Sequence, residues 1–260
     1  MLPPRWDWYT PDSVEIRATA WSAAPVEFNL AENEVVIWRA ALDFDLAVPR
    51  ELEATLCPDE QVRANRFHFS HDRARFIAGR GILRALLGAY LNRDPMDLAF
   101  GYGPQGKPEL ETDKNNHSLS FNLSHKKGLA VYAFARGRRL GIDLESVDSE
   151  FPGEEIARRF FSPHEVEELL ALPADSRAEG FFLAWTRKEA YIKAQGQGLQ
   201  IQLNSFDVTL TPGQPARFLR GIGSEWQIIT FWAAADHPGA LVCDGPLLTH
   251  PRFFSWQPSI

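Results

Sequence analysis

Two long segments of the chain space their apolar residues as one face of a helix does. They are RFIAGRGILRALLGAY, from Arg75 to Tyr90, and FFLAWTRKEAYIKAQG, from Phe181 to Gly196, and each carries basic residues on the other face. Apolar residues three and four positions apart predict amphipathic helices. The two segments are weakly similar, which is compatible with a chain made of two related halves.

The region between the two predicted helices has the two-residue period of strands. In SLSFNLSH, residues 118–125, apolar and polar residues alternate, which predicts a strand with one buried face. The runs 129–135 and 139–145 flank Gly137 and predict an antiparallel hairpin. Further strand-like runs follow at 206–210, 226–232 and 239–243.

The sequence SPHE, residues 162–165, marks the start of another helix. Ser162 is a good N-cap, Pro163 suits the first helical position, and Glu165 completes a capping box. A helix is therefore predicted from Pro163 to about Leu172. Because helices and strands do not alternate regularly along the chain, their order favours an α+β fold over a doubly wound sheet.

Length and composition indicate an ordinary folded protein. The chain has 260 residues, of which 45% are hydrophobic and 23% charged, so one large domain or two small ones are expected. Its two cysteines, Cys57 and Cys243, form no CxxC pair, which argues against a zinc site and indicates a reducing compartment. No signal peptide or membrane-spanning run is recognisable, so we expect a cytoplasmic protein without a membrane partner.

The net charge of −7 argues against a nucleic-acid partner, but one window has the opposite sign. Residues 61–93 contain seven arginines and a single acid, Asp72. This window is a candidate site for anionic groups. The alternative is a solvated basic helix face.

One segment matches two phosphate-binding motifs, but the residues that follow it do not fit either motif. GYGPQGK, residues 101–107, matches the start of a P-loop and a dinucleotide fingerprint, but Pro108 replaces the required Ser or Thr and no helix is predicted after it. The segment is interpreted as a glycine turn, with Lys107 left as a single phosphate contact. Ser124 and His125 end a predicted strand, where a hydroxyl and an imidazole are able to meet an anion.

Four further residues offer metal and proton chemistry. Asp143 and Glu145 in GIDLE leave the same face of a predicted strand, and oxygen-only ligands favour a hard cation, Mg²⁺ or Mn²⁺. The alternative is a solvent-facing strand with two acids. Glu189 and Lys193 lie four residues apart on a predicted helix, so their side chains share one face. This spacing is compatible with a catalytic pair, in which Glu189 is the base, and equally with a surface ion pair.

Five motifs with these residues follow one another between Pro58 and Val208. They are GKP (106–108), FNLSH (121–125), GIDLE (141–145), RFFSPHE (159–165) and WTRKEAYIKAQGQGL (185–199). As a set, in this order and spacing, they resemble the motifs of Sfp-type 4′-phosphopantetheinyl transferases. The resemblance implies an α+β pseudo-dimer of two similar halves, residues 1–136 and 137–260, the second with a C-terminal tail. Coenzyme A would bind in the cleft between them.

The resemblance also implies an activity and a set of site residues. The family moves the phosphopantetheine arm of coenzyme A to a serine of an apo-acyl or apo-peptidyl carrier protein and releases adenosine 3′,5′-bisphosphate. By position, Asp143, Glu145 and Glu189 are the expected Mg²⁺ ligands, and Glu189 with Lys193 the catalytic pair. Expected coenzyme A contacts are Arg63, Arg75, Lys107, Ser124, His125 and Lys193. A monomer is expected. Two alternative functions remain open: a magnesium nuclease, and a catalytically silent module that binds a carrier protein or coenzyme A.

Two positions depart from the family pattern, and one surface is a candidate for the carrier. Glu60 stands where a nucleotide-contacting lysine often occurs, and Phe76 where a small hydroxyl residue occurs. We expect Glu60 to turn into solvent or to repel a phosphate, giving modest discrimination against dephospho-coenzyme A. Carrier proteins are usually acidic, so the segment 158–161, Arg158, Arg159, Phe160 and Phe161, is the expected docking surface, unless its phenylalanines lie in the core.

Overall fold

The computed structural model describes residues 21–32, 34–44, 47–103, 106–111, 119–196, 198–245 and 250–258. The helices are α1 (Arg50–Ala54), α2 (Pro58–Ala64), α3 (Ser70–Leu91), α4 (Gly153–Phe160), α5 (Pro163–Ala171) and α6 (Arg177–Gln195). The first strands are β1 (Val35–Ala41), β2 (Phe100–Tyr102), β3 (Pro108–Leu110), β4 (Leu119–Lys126), β5 (Leu129–Arg136) and β6 (Leu140–Leu144). The others are β7 (Asp207–Val208), β8 (Phe218–Arg220), β9 (Trp226–Ala234), β10 (His237–Asp244) and β11 (Arg252–Ser255). Part of the GYGPQGK turn and most of the polar stretch after it lie outside the described residues.

The two halves of the chain repeat one order of elements. Each begins with a strand and continues with two short helices, one long helix, a two-stranded ribbon and a hairpin. In the first half these are β1, α1 and α2, α3, β2 with β3, and β4 with β5. In the second half they are β6, α4 and α5, α6, β7 with β8, and β9 with β10. The expected α+β fold with two similar halves is confirmed.

The molecule has two main sheets, which pack on each other. The first combines β1, β4 and β5 of the first half with β11 from the end of the second half. The first has the order β11-β1-β5-β4 and the second β6-β10-β9. In β1, Val36 and Trp38 belong to the core under α3, whereas Val35 and Ile37 belong to the core shared with the second sheet. Because successive side chains of a strand point to opposite faces, β1 is buried on both sides.

The hairpin predicted around Gly137 is wrong. β5 pairs with β1 and β4, whereas β6 pairs with β10 in the other sheet. Gly137, with a φ of 65°, turns the chain from one sheet towards the other. The hairpin of this region is instead β4 with β5, which turns at Lys127 and Gly128. Local alternation identified the strands, but it does not determine which strands pair.

The prediction that β4 has one buried face is also wrong, because its polar face is covered too. Asn122 and Ser124 are both buried, since β6 of the second sheet lies alongside β4. The Oδ1 atom of Asn122 accepts a hydrogen bond of 2.8 Å from the backbone N–H of Ile142. A side chain of the first half thus satisfies a strand of the second, and this contact sets the position of the GIDLE motif.

The long helices and the SPHE helix start are confirmed, but their basic residues are not all on the surface. Arg84 on α3 and Lys188 on α6 are fully buried, against the expectation of an exposed basic face. At the start of α5, Ser162 Oγ accepts from the N–H of Glu165, and Glu165 Oε2 accepts from the N–H of Ser162. This is the predicted capping box.

The sequence CPDE at the start of α2 repeats this arrangement in the first half. Glu60 Oε2 accepts a hydrogen bond of 3.1 Å from the N–H of Cys57 and lies 2.7 Å from Arg84 Nε. In the second half, Glu165 Oε1 lies 2.8 Å from Lys188 Nζ. Each capping-box glutamate therefore also binds a buried cation of its long helix, so one carboxylate holds the short helix against the long one.

Candidate active site

A cavity of about 780 Å³ lies between the two halves. One wall is α3, the opposite wall is α6, and the hairpin of β4 and β5 lies between them. The expected site residues Arg63, Arg75, Lys107, His125, Glu189 and Lys193 all line it. Leu42, Leu83 and Tyr132 give part of its surface an apolar character. The fold thus brings residues from distant parts of the chain to one cavity.

Asp143 is the centre of a buried polar cluster beside this cavity. Its Oδ1 atom accepts hydrogen bonds from Ser124 Oγ at 2.9 Å and from Lys193 Nζ at 2.6 Å. Lys193 Nζ also donates to Ser124 Oγ at 3.1 Å. The other oxygen, Asp143 Oδ2, is buried and accepts no hydrogen bond from the described residues. A buried carboxylate oxygen that accepts no hydrogen bond is chemically suited to coordinate a cation.

The other two expected metal ligands lie close to Asp143. Glu145 follows β6 directly, and its Oε2 lies 2.6 Å from Lys126 Nζ. Burial raises the pKa of the Glu189 carboxyl, the charges of Asp143 and Glu145 raise it further, and Lys193 opposes them. The negative charges that raise the pKa of Glu189 would also stabilise a bound cation.

The three carboxylates fit a hard cation in donor type and charge, and lysines now neutralise part of that charge. Within the residues that the structure describes, no three His, Cys, Asp or Glu side chains are already arranged to hold a metal ion. Instead Lys193 binds Asp143, and Lys126 binds Glu145. A divalent ion would have to draw the carboxylates together and displace the lysines from them.

The cationic side of the cavity is held by specific partners. Arg75 donates from Nε and Nη2 to the two oxygens of Asp43, at 2.6 and 2.8 Å. The Arg63 guanidinium lies over the Phe76 ring, 5.3 Å from its centroid. Burial, followed by the charges of Lys193 and Arg75, lowers the pKa of His125. The two arginines are thus pre-oriented at the cavity, as an anion site requires, whereas the lowered pKa favours the neutral form of His125.

Two models of protein families and one close relative identify the chain. Residues 139–242 match the 4′-phosphopantetheinyl transferase superfamily, and residues 49–136 match the N-terminal region of 4′-phosphopantetheinyl transferases. The 4′-phosphopantetheinyl transferase HetI of Nostoc sp. is 39% identical over 238 residues, which cover 92% of this chain and 96% of that relative. The chain belongs to the 4′-phosphopantetheinyl transferase family.

More distant relatives of this transferase have the same activity in their names. A 4′-phosphopantetheinyl transferase of Bacillus subtilis is 31% identical over 220 residues, covering 84% of this chain and 93% of the relative. The human L-aminoadipate-semialdehyde dehydrogenase-phosphopantetheinyl transferase is 30% identical over 165 residues, covering 60% and 53%. The nuclease and the silent binding module are therefore set aside.

The family gives the transferase its reaction and its substrates. It transfers the phosphopantetheine arm of coenzyme A to a carrier protein. Among the helices that the structure describes, none combines the length and the apolar character needed to cross a membrane. In the described fold, the cavity between the halves is lined by cationic residues and by the carboxylate of Glu189 together.

Three site expectations need correction or refinement in the transferase. Glu60 is 1% exposed and bound to Arg84, so it neither turns into solvent nor lines the cavity. Lys107 Nζ donates to the carbonyls of Leu140 and Lys193, at 3.1 and 2.8 Å, so two of its three N–H groups already join the halves. Ser124 is buried beneath the cavity beside Asp143.

The expected carrier surface is only partly exposed. Phe161 is buried and stacks on Phe181 at 5.4 Å, so its assignment to the docking surface is wrong. Phe160 is 38% exposed, and Arg158 and Arg159 are exposed beside it. Three residues of the predicted docking surface are therefore exposed: Arg158, Arg159 and Phe160. Together they still offer the positive charge and the apolar area expected of a surface that binds an acidic carrier protein.

The sequence reasoning also missed residues that organise the site. Asp43 orients Arg75, Asn122 fixes β6, and Lys126 binds Glu145. Asp43 follows β1 and lies far from Arg75 in the chain, so no local pattern joins them. For Asn122 a signal existed, because a polar face on a strand next to a second sheet must be satisfied by hydrogen bonds.

Proposed function

We propose that the transferase uses Mg²⁺, with Mn²⁺ as an alternative ion, held by Asp143, Glu145 and Glu189. The observation that carries this proposal is the buried Asp143 Oδ2, which accepts no hydrogen bond from the described residues, together with the nearby carboxylates Glu145 and Glu189. When bound, the ion would neutralise these carboxylates and polarise the pyrophosphate of coenzyme A. Lys193, 2.6 Å from Asp143, would then be free to contact the pyrophosphate.

Glu189 is the base that we assign to the reaction. The carrier serine oxygen forms a bond to the β-phosphorus of coenzyme A, and the bond from that phosphorus to the bridging oxygen breaks. Glu189 takes the serine proton, and adenosine 3′,5′-bisphosphate leaves with its charge stabilised by Lys193. The position of Glu189 on the α6 wall, four residues before Lys193, puts both groups on the same helix face.

The phosphates of coenzyme A would be bound by basic side chains of the first half. We assign this role to Arg63, Arg75 and His125, with the remaining N–H group of Lys107 as a further contact. All four line the cavity. Ser124 is a supporting residue in this proposal, because its hydroxyl joins Asp143 to Lys193.

We also propose a cytoplasmic monomer divided at residues 136 and 137. Two free cysteines support a reducing compartment. The cavity is lined by residues from both halves of one chain, which supports a site that needs no second copy. Gly137 marks the turn at which the chain passes to the second sheet.

Intact-mass measurement on a panel of apo-acyl and apo-peptidyl carrier proteins tests the proposal. With coenzyme A and Mg²⁺, a phosphopantetheine adduct is expected on at least one carrier, and EDTA should abolish it. Added Mg²⁺ or Mn²⁺ should restore the adduct. Equal transfer in EDTA would contradict the metal assignment while leaving the transferase activity intact.

A further inference from the structure

The hairpin of β4 and β5 turns on a residue type that is unfavourable at its position. Lys126 pairs with Leu129, so the loop consists of two residues, Lys127 with a φ of 45° and Gly128 with a φ of 78°. Two consecutive residues with positive φ form the tight hairpin turn in which Asn-Gly is a favoured pair. A lysine in this left-handed region is strained, and strained residues of this kind cluster at functional sites.

The chain around this turn is anchored on both sides. The N–H of Leu42 donates to the carbonyl of Gly128 at 2.7 Å. A side chain at Gly128 would overlap the Asp43 carboxylate, so the turn lies directly against it. On the other side, Lys126 Nζ lies 2.6 Å from Glu145 Oε2. These contacts hold the tip of the hairpin in its strained conformation.

Lys127 is an exposed cation at this tip, and it lines the cavity between the halves. No hydrogen bond or ion pair joins its Nζ to any other residue that the structure describes. Its charge acts over a longer distance on Asp236: burial raises the pKa of that carboxyl, but His237 and, to a smaller extent, Lys127 lower it overall. By contrast, Arg75 and Lys193 of the same cavity are each paired with a carboxylate.

The charge of Lys127 is placed where the acceptor of the reaction has to approach. The family transfers the phosphopantetheine arm to a carrier protein, whose serine must enter the cavity to react. Lys127 lines this cavity together with Glu189. Its neighbour Lys126 contacts Glu145, a proposed metal ligand. The surface of the carrier around its serine is therefore brought towards this turn.

We propose that Lys127 is a docking residue for the acidic surface of the carrier protein next to the acceptor serine. The inference rests on the proposed function, in which Glu189 takes the proton of that serine. Carrier proteins are usually acidic, and an exposed cation at the entrance of the cavity gives the charge complementarity that steers such a partner. This contact is separate from Arg158, Arg159 and Phe160, none of which lines the cavity. It also accounts for the strained lysine, because asparagine would relieve the strain but remove the charge.

Steady-state kinetics with an apo-carrier protein that the enzyme modifies test this role. Lys127→Asn gives the turn its favoured sequence and should keep the thermal midpoint or raise it by up to about 4 °C. At low ionic strength the same variant should raise the KM for the carrier about threefold, and Lys127→Glu about tenfold, because a contact between exposed charges is weak but is reversed in sign by glutamate. The KM for coenzyme A and kcat should both stay within about twofold of wild type. Above about 0.5 M salt the KM values for the carrier should converge, because exposed charges are screened.

Two controls separate the charge of Lys127 from its place in the turn. Lys127→Arg keeps the charge and should leave the KM for the carrier within about twofold of wild type. Arg217→Asn removes an exposed cation that does not line the cavity, so it should change neither KM. A purely structural role for Lys127 predicts a different pattern, in which Lys127→Asn is at least as stable as wild type and the KM for the carrier is unchanged. That pattern overturns the proposal.

The outcomes also separate this inference from the proposed function. A wild-type enzyme that modifies no carrier protein would overturn both. An active, metal-dependent wild type whose carrier KM is unchanged in Lys127→Glu overturns the role of Lys127 alone. An equal rise in the KM for the carrier and for coenzyme A does the same, because it would place the lysine against the nucleotide instead of the carrier.

Discussion

Replacing Glu60 by glutamine should remove a large part of the folding free energy. The Glu60 side chain is 1% exposed and binds Arg84, whose side chain is 0% exposed, so solvent screens this pair very little. Glutamine keeps the shape but leaves Arg84 and Arg80 buried without their counter-charge. Breaking a buried ion pair from one side costs about 3–5 kcal/mol, against a typical total stability of about 5–15 kcal/mol.

Thermal unfolding followed by circular dichroism measures this cost. For proteins of this size class each kcal/mol lowers the midpoint by about 2–4 °C, so Glu60→Gln should lower it by about 6–20 °C. Asp59→Asn is the matched control, because Asp59 is an exposed acid in the same helical turn. Its midpoint should stay within about 2 °C of wild type.

The result that would refute this reasoning is a Glu60→Gln midpoint as close to wild type as that of Asp59→Asn. Such a result would mean that Arg84 is satisfied by its carbonyl contacts without Glu60. Glu60→Lys should be more severe than Glu60→Gln. A lysine at this buried position faces Arg80 and Arg84 at close range, so we expect this variant not to fold.

The remaining predictions concern catalysis and docking. Asp143→Asn should abolish transfer in the intact-mass assay while the protein still folds; retained activity would contradict its role as a metal ligand. Glu189→Gln should lower kcat by about 100- to 10,000-fold with little change in coenzyme A KM, and unchanged turnover would exclude Glu189 as the base. The carrier KM should rise with ionic strength and rise again on reversing the charges of Arg158 and Arg159, whereas a flat salt response would exclude electrostatic docking.

Local patterns predicted the two long helices and α5, because a helix is decided within a few turns of chain, but they did not predict the short helices α1, α2 and α4. The 3.6-residue period located α3 and α6, and SPHE located the start of α5 from four adjacent residues. Strand pairing was not predictable in the same way. β5 and β6 are neighbours in the chain, but they pair with β1 and β10, which lie far from them in the sequence. The period of a strand does not identify the distant strand with which it pairs.

The buried charges show the same limit at the level of single residues. Glu60 and Arg84 are 24 residues apart. An arginine on a predicted helix is assigned to the surface unless a buried partner for its charge is known. Asp143 joins Ser124 and Lys193 from other elements, so Asp143→Asn, which keeps the shape of the side chain, is a milder test than Asp143→Ala. The roles of the candidate site residues remain predictions that the proposed experiments address.

The position of β11 has a consequence for synthesis on the ribosome. β11 pairs in parallel with β1, and their contacts join residues as much as 216 positions apart. While the chain is being translated, β1 therefore keeps an unpaired edge until residues 252–255 have emerged. An open strand edge is a place where nascent chains aggregate or bind holdase chaperones. The first half of the molecule, although made first, is the half that is finished last.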